Sequence, residues 1–169
     1  MMKAILTTLT RADQWVARAE AWALIAMVAV MTAVVLLQVI CRYVLSQSLD
    51  WSEELARYLF VWISMVGAAL SIKKRGHFGM DFFFRMFPEK VQRVAIYLIY
   101  LLMGVVVLVI LVQGVVLLQR TSAQTSPAMQ ISMGMAYACL PVGAALMALH
   151  LLVIILKEPS EGRREDNPS

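Results

Sequence analysis

The sequence predicts an all-α integral membrane protein with four transmembrane helices, and three observations carry that reading. Of its 169 residues 61% are hydrophobic, with a mean hydropathy of +0.75. Only 15% are Asp, Glu, Lys or Arg, and these charges stand between long uncharged runs. Soluble domains are about 45–50% apolar and about 25% charged, so this chain has too little polar surface to cover a water-soluble globule. The composition argues against a soluble enzyme, a disordered regulator and a disulfide scaffold. The net charge of +4 does not point to nucleic acid, because the basic residues are scattered between apolar runs rather than gathered in one stripe.

The first span is the uncharged run from Ala21 to Cys41, bracketed by Glu20 and Arg42. It exceeds the roughly 20 residues needed to cross about 30 Å of hydrocarbon. It is too long for a signal-peptide core and ends without a small-x-small cleavage pattern. Ahead of it, residues 2–20 place Ile5, Leu9, Ala12, Val16 and Ala19 at helical spacing. That pattern fits a helix lying in the headgroup layer equally with an inward continuation of the first span.

The second span needs an extension, because Tyr58 to Ile72 is short on its own. Asp50 followed by Glu53 resembles a capping box, so the helix is expected to start near Trp51 and to reach Ile72, about 33 Å at helical rise. The third span runs over 94–119, between Arg93 and Arg120, and the fourth over 133–156, ahead of Lys157. Pro141 should kink the fourth, with Gly143 just beyond. The tail from 157 to 169, with Pro159, Gly162 and Pro168 among alternating charges, reads as a disordered cytoplasmic segment. None of the spans shows the two-residue alternation of a barrel strand.

Orientation follows from the basic residues. The N-terminal segment, the second loop and the tail together hold twelve Lys and Arg, and the first and third loops hold three. The positive-inside rule then places both termini and the second loop in the cytoplasm. Trp15, Trp22, Tyr97 and Tyr100 fall near the inner interface, and Tyr43, Trp51, Tyr58 and Tyr137 near the outer one. The second loop holds Phe78, Phe82, Phe83, Phe84, Met86 and Phe87 among its basic residues, so Lys73, Lys74, Arg75 and Arg85 are candidates for contact with lipid headgroups. Cys41 and Cys139 are expected to be free thiols.

No Asp, Glu, Lys or Arg lies deep in a span, whereas carriers that move ions by themselves keep such groups at membrane depth. Gln38, Gln113 and His150 are the deepest polar candidates. His150 reads as a helix–helix or headgroup hydrogen bond. Pairing it with His77 around a haem would require two inward-facing imidazoles at one depth. No phosphate loop, nucleophile elbow, zinc-helix motif or potassium filter is present, so neither catalytic residues, a metal nor a cofactor is expected. Small residues four apart, Ser64 and Ala68, Gly67 and Ser71, Ala144 and Ala148, offer close-packing faces. The densest charge cluster, Arg42, Asp50, Glu53, Glu54 and Arg57, sits at the outer ends of the first two spans. Glu53 and Arg57 have favourable helical spacing, and Glu54 is expected to reach Arg42 or a partner. Arg57 lies deep enough along its helix to invite a protein partner.

With Arg42-Tyr43, Trp51-Ser52-Glu53-Glu54-Leu55-Ala56-Arg57-Tyr58, Trp62, Gly67-Ala68-Ala69, Lys74-Arg75-Gly76-His77 and Asp81, the chain resembles the small transmembrane subunit (DctQ-type) of tripartite ATP-independent periplasmic (TRAP) transporters. Ser126-Pro127-Ala128-Met129, Tyr137 and Pro141-Val142-Gly143 extend the resemblance to nearly the whole chain. The aromatic residue common after the Pro127 motif is replaced here by Met133 and Met135. The resemblance implies sodium-coupled, ATP-independent uptake of a small acidic solute across the bacterial inner membrane. It implies two protein partners, a large multi-span permease subunit and a periplasmic solute-binding protein. This chain would be the scaffold of the large subunit. Arg42, Trp51, Glu53, Glu54, Arg57, Trp62, Gly67, His77 and Asp81 are its assembly candidates. The alternative is a four-helix membrane anchor of a respiratory enzyme. A small multidrug-type exporter is disfavoured, since Glu20 precedes the first span instead of lying within it.

Overall fold

The computed structural model describes residues 2–47, 49–74 and 89–165. Its helices are α1 (Met2–Val44), α2 (Asp50–Lys73), α3 (Glu89–Thr121), the single-turn α4 (Met133–Tyr137) and α5 (Cys139–Glu165). Four helical stretches are long and apolar enough to cross a membrane: Thr8–Val44, Asp50–Lys73, Val94–Thr121 and Met133–Leu156. The protein is an all-α, multi-pass membrane protein.

The sequence before Gly67 contains neither glycine nor proline, and α1 accordingly runs unbroken for 43 residues, about 65 Å at helical rise. Residues 2–20 are therefore the continuation of the first span, not a separate helix turned into the headgroup layer. This arm extends the helix well beyond the thickness of the hydrocarbon. At its other end the Gln47 amide reaches back to the Cys41 carbonyl at 3.1 Å, and Ser46 takes the left-handed conformation (φ 52°) that closes helix C-termini.

α2 starts at Asp50, one residue before the expected position. Leu49 occupies the N-cap and provides no side-chain cap, so the capping-box pattern is not used. Instead the Ser52 amide and hydroxyl both donate to the Leu49 carbonyl, at 3.0 and 2.6 Å. Asp50 and Glu53 in the first turn suit the positive end of the helix dipole. α3 begins five residues before the uncharged run, at Glu89.

The fourth span is interrupted at Ala138, three residues before Pro141. Proline lacks the amide that would bond to the Tyr137 carbonyl, so the predicted distortion falls one turn upstream of the ring. Beyond Leu156, α5 continues helically to Glu165, over the stretch that the sequence assigns to a disordered tail.

Across the bundle α1 lies along α2, α2 packs on α5, and α5 packs on α3. Ala69 of α2, Val107 of α3 and Met147 of α5 form the buried centre, flanked by Met65, Ile72, Leu146 and Ala148. Two glycines set the closest approaches. A Cβ on Gly143 would stand 2.8 Å from Met65 Cβ, and one on Gly114 would stand 2.9 Å from Leu140 Cβ and 3.0 Å from Pro141 N. Of the small-residue faces, Ala144 is fully buried, whereas Ser64, Ala68 and Ser71 point away from the bundle. Gly67 faces Leu24 of α1 at ordinary contact distance.

Candidate functional site

The polar groups gather at the two ends of the bundle. At the Asp50 end, the chain between α3 and α4 folds into a tight hairpin. The Ser126 amide donates to the Ile131 carbonyl at 2.8 Å, the Met133 amide to the Gln124 carbonyl at 2.9 Å, and Gln130 turns the chain with a φ of 56°. Ser132 caps the following turn through its hydroxyl, which accepts from the Gly134 amide and donates to the Ser122 carbonyl at 2.8 Å.

This turn aims the Ala128 and Met129 amides at one carboxylate oxygen of Glu54, each at 3.0 Å. The other oxygen accepts from the Tyr58 hydroxyl, one helical turn along α2, which also has the Met133 sulfur at 3.2 Å. Successive amides of a tight turn form a concavity suited to an anion, and a buried carboxylate held by three donors is a strong structural tie. Ser126 is fully buried beside that carboxylate. Glu54 is thus engaged by its own chain, and neither Arg42 nor a partner is needed to explain its burial. Met133, after the Pro127 motif, is part of this contact.

The other residues of the cluster behave differently. Glu53 is exposed and accepts from Gln38 Nε2 of α1 at 2.7 Å. Arg42 and Arg57 are exposed and enter no ion pair among the described residues, so the Glu53–Arg57 pairing is not formed. Trp51 is partly exposed at the start of α2, and Trp62 is half-buried within it. His77, Asp81, Arg75 and Arg85 lie outside the described residues.

The Lys73 end holds a second clasp. His150 of α5 is fully buried between two carboxylates of α1. Its Nδ1 stands 2.6 Å from Asp13 Oδ1, and its Nε2 3.0 and 3.1 Å from the two oxygens of Glu20. The second oxygen of Asp13 takes the Lys73 ammonium. Lys73, a headgroup candidate by sequence, is therefore engaged with Asp13, while Lys74 beside it is exposed. Two acidic and two basic side chains thus meet here, and the buried carboxylates of Asp13 and Glu20 each have a hydrogen-bonding partner, as burial of such groups requires.

Sequence reasoning left His150 at a helix–helix or headgroup hydrogen bond, missed Asp13, and gave Glu20 no part in a contact. One signal was available: Asp13 and Glu20 are seven residues apart, two turns, and so share one face of the arm. Gln113, the remaining polar candidate, is exposed on α3. Both ring nitrogens of His150 face carboxylate oxygens.

Residues 31–158 match the family model described as the DctQ component of tripartite ATP-independent periplasmic transporters. The chain is 35% identical over 104 residues to the isethionate TRAP transporter permease protein DctMQ of Oleidesulfovibrio alaskensis, covering 60% of this chain and 16% of that protein. It is 30% identical over 119 residues to the sialic acid TRAP transporter permease protein SiaT of Haemophilus influenzae, covering 70% of this chain and 19% of that one. To the sialic acid TRAP transporter small permease protein SiaQ of Vibrio cholerae it is 32% identical over 126 residues, covering 75% of this chain and 73% of the relative. The chain thus spans under a fifth of the first two relatives' length and about three-quarters of the third's. These relatives are transport components, not enzymes, and none supports a respiratory anchor. The matched segment holds both Glu54 and the turn that binds it, and the chain belongs to the DctQ family as a small permease subunit of TRAP transporters.

Proposed function

We propose that this small subunit is the fixed scaffold of a sodium-coupled, ATP-independent uptake system for a small acidic solute. Its partners are a large multi-span permease subunit, which carries sodium and solute, and a periplasmic protein that delivers the solute. It lies in the bacterial inner membrane with both termini cytoplasmic, the orientation that its twelve-to-three distribution of basic residues favours.

The observation that carries this reading is where the ionisable groups lie. A sodium-coupled carrier needs oxygen ligands near the membrane midplane. Here the buried carboxylates Asp13, Glu20 and Glu54 are at the bundle ends and already satisfied by His150, Lys73 and the Ala128–Met129 turn. The middle of each span carries no Asp, Glu, Lys or Arg. Two relatives hold the matched segment as a minor part of a longer permease chain, which supports side-by-side assembly with a larger membrane partner. The names of the relatives include isethionate and sialic acid, both acidic, which supports the solute class. Arg42, Trp51, Glu53, Arg57, Trp62, Gly67, His77 and Asp81 remain candidates for assembly.

Reconstitution tests it. The subunit alone in liposomes should take up nothing under any ion gradient, and uptake should appear once the large subunit and binding protein are present. Single replacements of Gln38, Gln113 or His150 by Ala should leave the sodium dependence of the complex unchanged. Sodium-driven uptake by this subunit alone, or a shifted sodium dependence in one of those variants, would refute the scaffold role.

A further inference from the structure

The α1 arm has two unlike faces. Asp13 and Glu20, the only acidic residues before Asp50, turn inward and are consumed by His150 and Lys73. On the opposite face Arg11, Trp15, Arg18 and Trp22 recur at intervals of four, three and four residues. At about 100° per residue these four lie within about 40° of one line along the helix. Both arginines are exposed, and the indoles are 70% and 72% exposed. The Arg18 guanidinium stands 5.6 Å from the Trp15 ring centre, a cation–π contact. This surface carries two cations and two amphipathic rings and no acid.

We infer that this stripe is a docking surface for the anionic headgroups of phospholipids. Charge complementarity selects that occupant. Inward turning of both acids leaves a purely positive outward face, and guanidinium forks match phosphate oxygens in pairs. The stripe is about 16 Å long at helical rise and lies at the membrane boundary where α2 ends, since Asp13, between its two arginines, meets Lys73. Above it the same helix shows lipid an apolar surface, with Ile25, Leu36 and Ile40 exposed and the Thr32 hydroxyl turned back onto the Val28 carbonyl. Indoles at such a boundary place their rings among acyl chains and their N–H toward ester and phosphate oxygens. Lys73 does not share this role, being held by Asp13.

The test uses Trp51→Phe/Trp62→Phe protein in vesicles, so that emission reports Trp15 and Trp22 alone. Phosphatidylglycerol and phosphatidylcholine carrying the same brominated acyl chains are compared as quenchers, each at low mole fraction. Enrichment of the anionic lipid by about fivefold per arginine is expected. Arg11→Gln/Arg18→Gln should bring the two quenchers close to parity, and Arg11→Lys/Arg18→Lys should keep most of the preference. In protein with all four tryptophans, phosphatidylglycerol retained through purification should fall in the Gln variant, which guards against misfolding of the Phe background. Equal quenching by the two headgroups before the arginines are changed would overturn the inference. So would emission insensitive to either lipid, since the stripe would then be covered by protein.

Discussion

Replacing His150 by Leu should remove the imidazole that faces Glu20. Asp13 would keep Lys73, but the Glu20 carboxylate, 5% exposed, would be left against a methyl surface. Breaking a buried ion pair from one side costs about 3–5 kcal/mol. Because the clasp lies near the bundle end and half of it survives, the lower figure applies here. At about 2–4 °C per kcal/mol for a chain of this size, a loss of about 3 kcal/mol lowers the apparent Tm by about 6–12 °C. The assay is thermal unfolding in mild detergent, for His150→Leu, Glu20→Leu and the double variant. Coupling is the decisive quantity: the double variant, which buries no unpaired carboxylate at this point, should be less destabilised than the sum of the singles by more than about 1 kcal/mol. A His150→Leu Tm within about 2 °C of the parent, or simple additivity, would refute the ionic clasp.

Glu54→Ala leaves the Ala128 and Met129 amides without their acceptor, so their hydrogen exchange should speed up about tenfold or more, and by less in Glu54→Gln, where a carbonyl oxygen can still accept. Gly114→Ala puts a Cβ 2.9 Å from Leu140 Cβ, and overpacking of about 1–3 kcal/mol should lower the Tm by a few degrees. In a background with Cys41 and Cys139 replaced, a cysteine at Gln130 should react with an impermeant reagent from the periplasm and one at Lys74 only after the cells are opened; the reverse pattern would overturn the proposed orientation. Arg57→Ala should lower recovery of the complex with the large subunit while leaving the small subunit's own Tm unchanged, whereas equal recovery would refute an assembly role for Arg57.

The spans were legible because burial in lipid requires long uncharged helices, and charge marks their limits. The second reads 51–72 from sequence against 50–73 in the structure, and the third 94–119 against 89–121. The misses share one cause. Span arithmetic stops at the first charge, whereas a helix stops only where its backbone is interrupted. α1 thus continues through Asp13 and Arg11, and α3 starts five residues early at Glu89. Pro141 announced a distortion, but a missing amide acts one turn upstream, so the interruption appears at Ala138. The clasps were far less accessible. Glu54 meets amides 74 and 75 residues away, and His150 meets carboxylates 137 and 130 residues away. No periodicity reports such distant neighbours, and the polar character of a hairpin's amides is invisible in Ala and Met.

The two clasps join different pairs of elements, and that difference bears on how the bundle could resist a moving neighbour. Glu54 ties α2 to the hairpin between α3 and α4, at the Asp50 end. Asp13, Glu20, Lys73 and His150 tie α1, α2 and α5 at the opposite end. Between them the helices touch through the apolar centre at Ala69, Val107 and Met147, and through glycine contacts with no room for an added methyl at Gly114 or Gly143. Apolar packing alone specifies helix orientation weakly in a bilayer, since lipid tails compete with side chains for the same surface. Directional bonds at both ends remove the rotations and slides that such packing leaves open. Shear between α2 and the hairpin must break Glu54 from its amides, and tilting α1 away must expose Asp13 and Glu20. A bundle restrained in this way resists deformation at either end, which is the mechanical property that the proposed scaffold role requires.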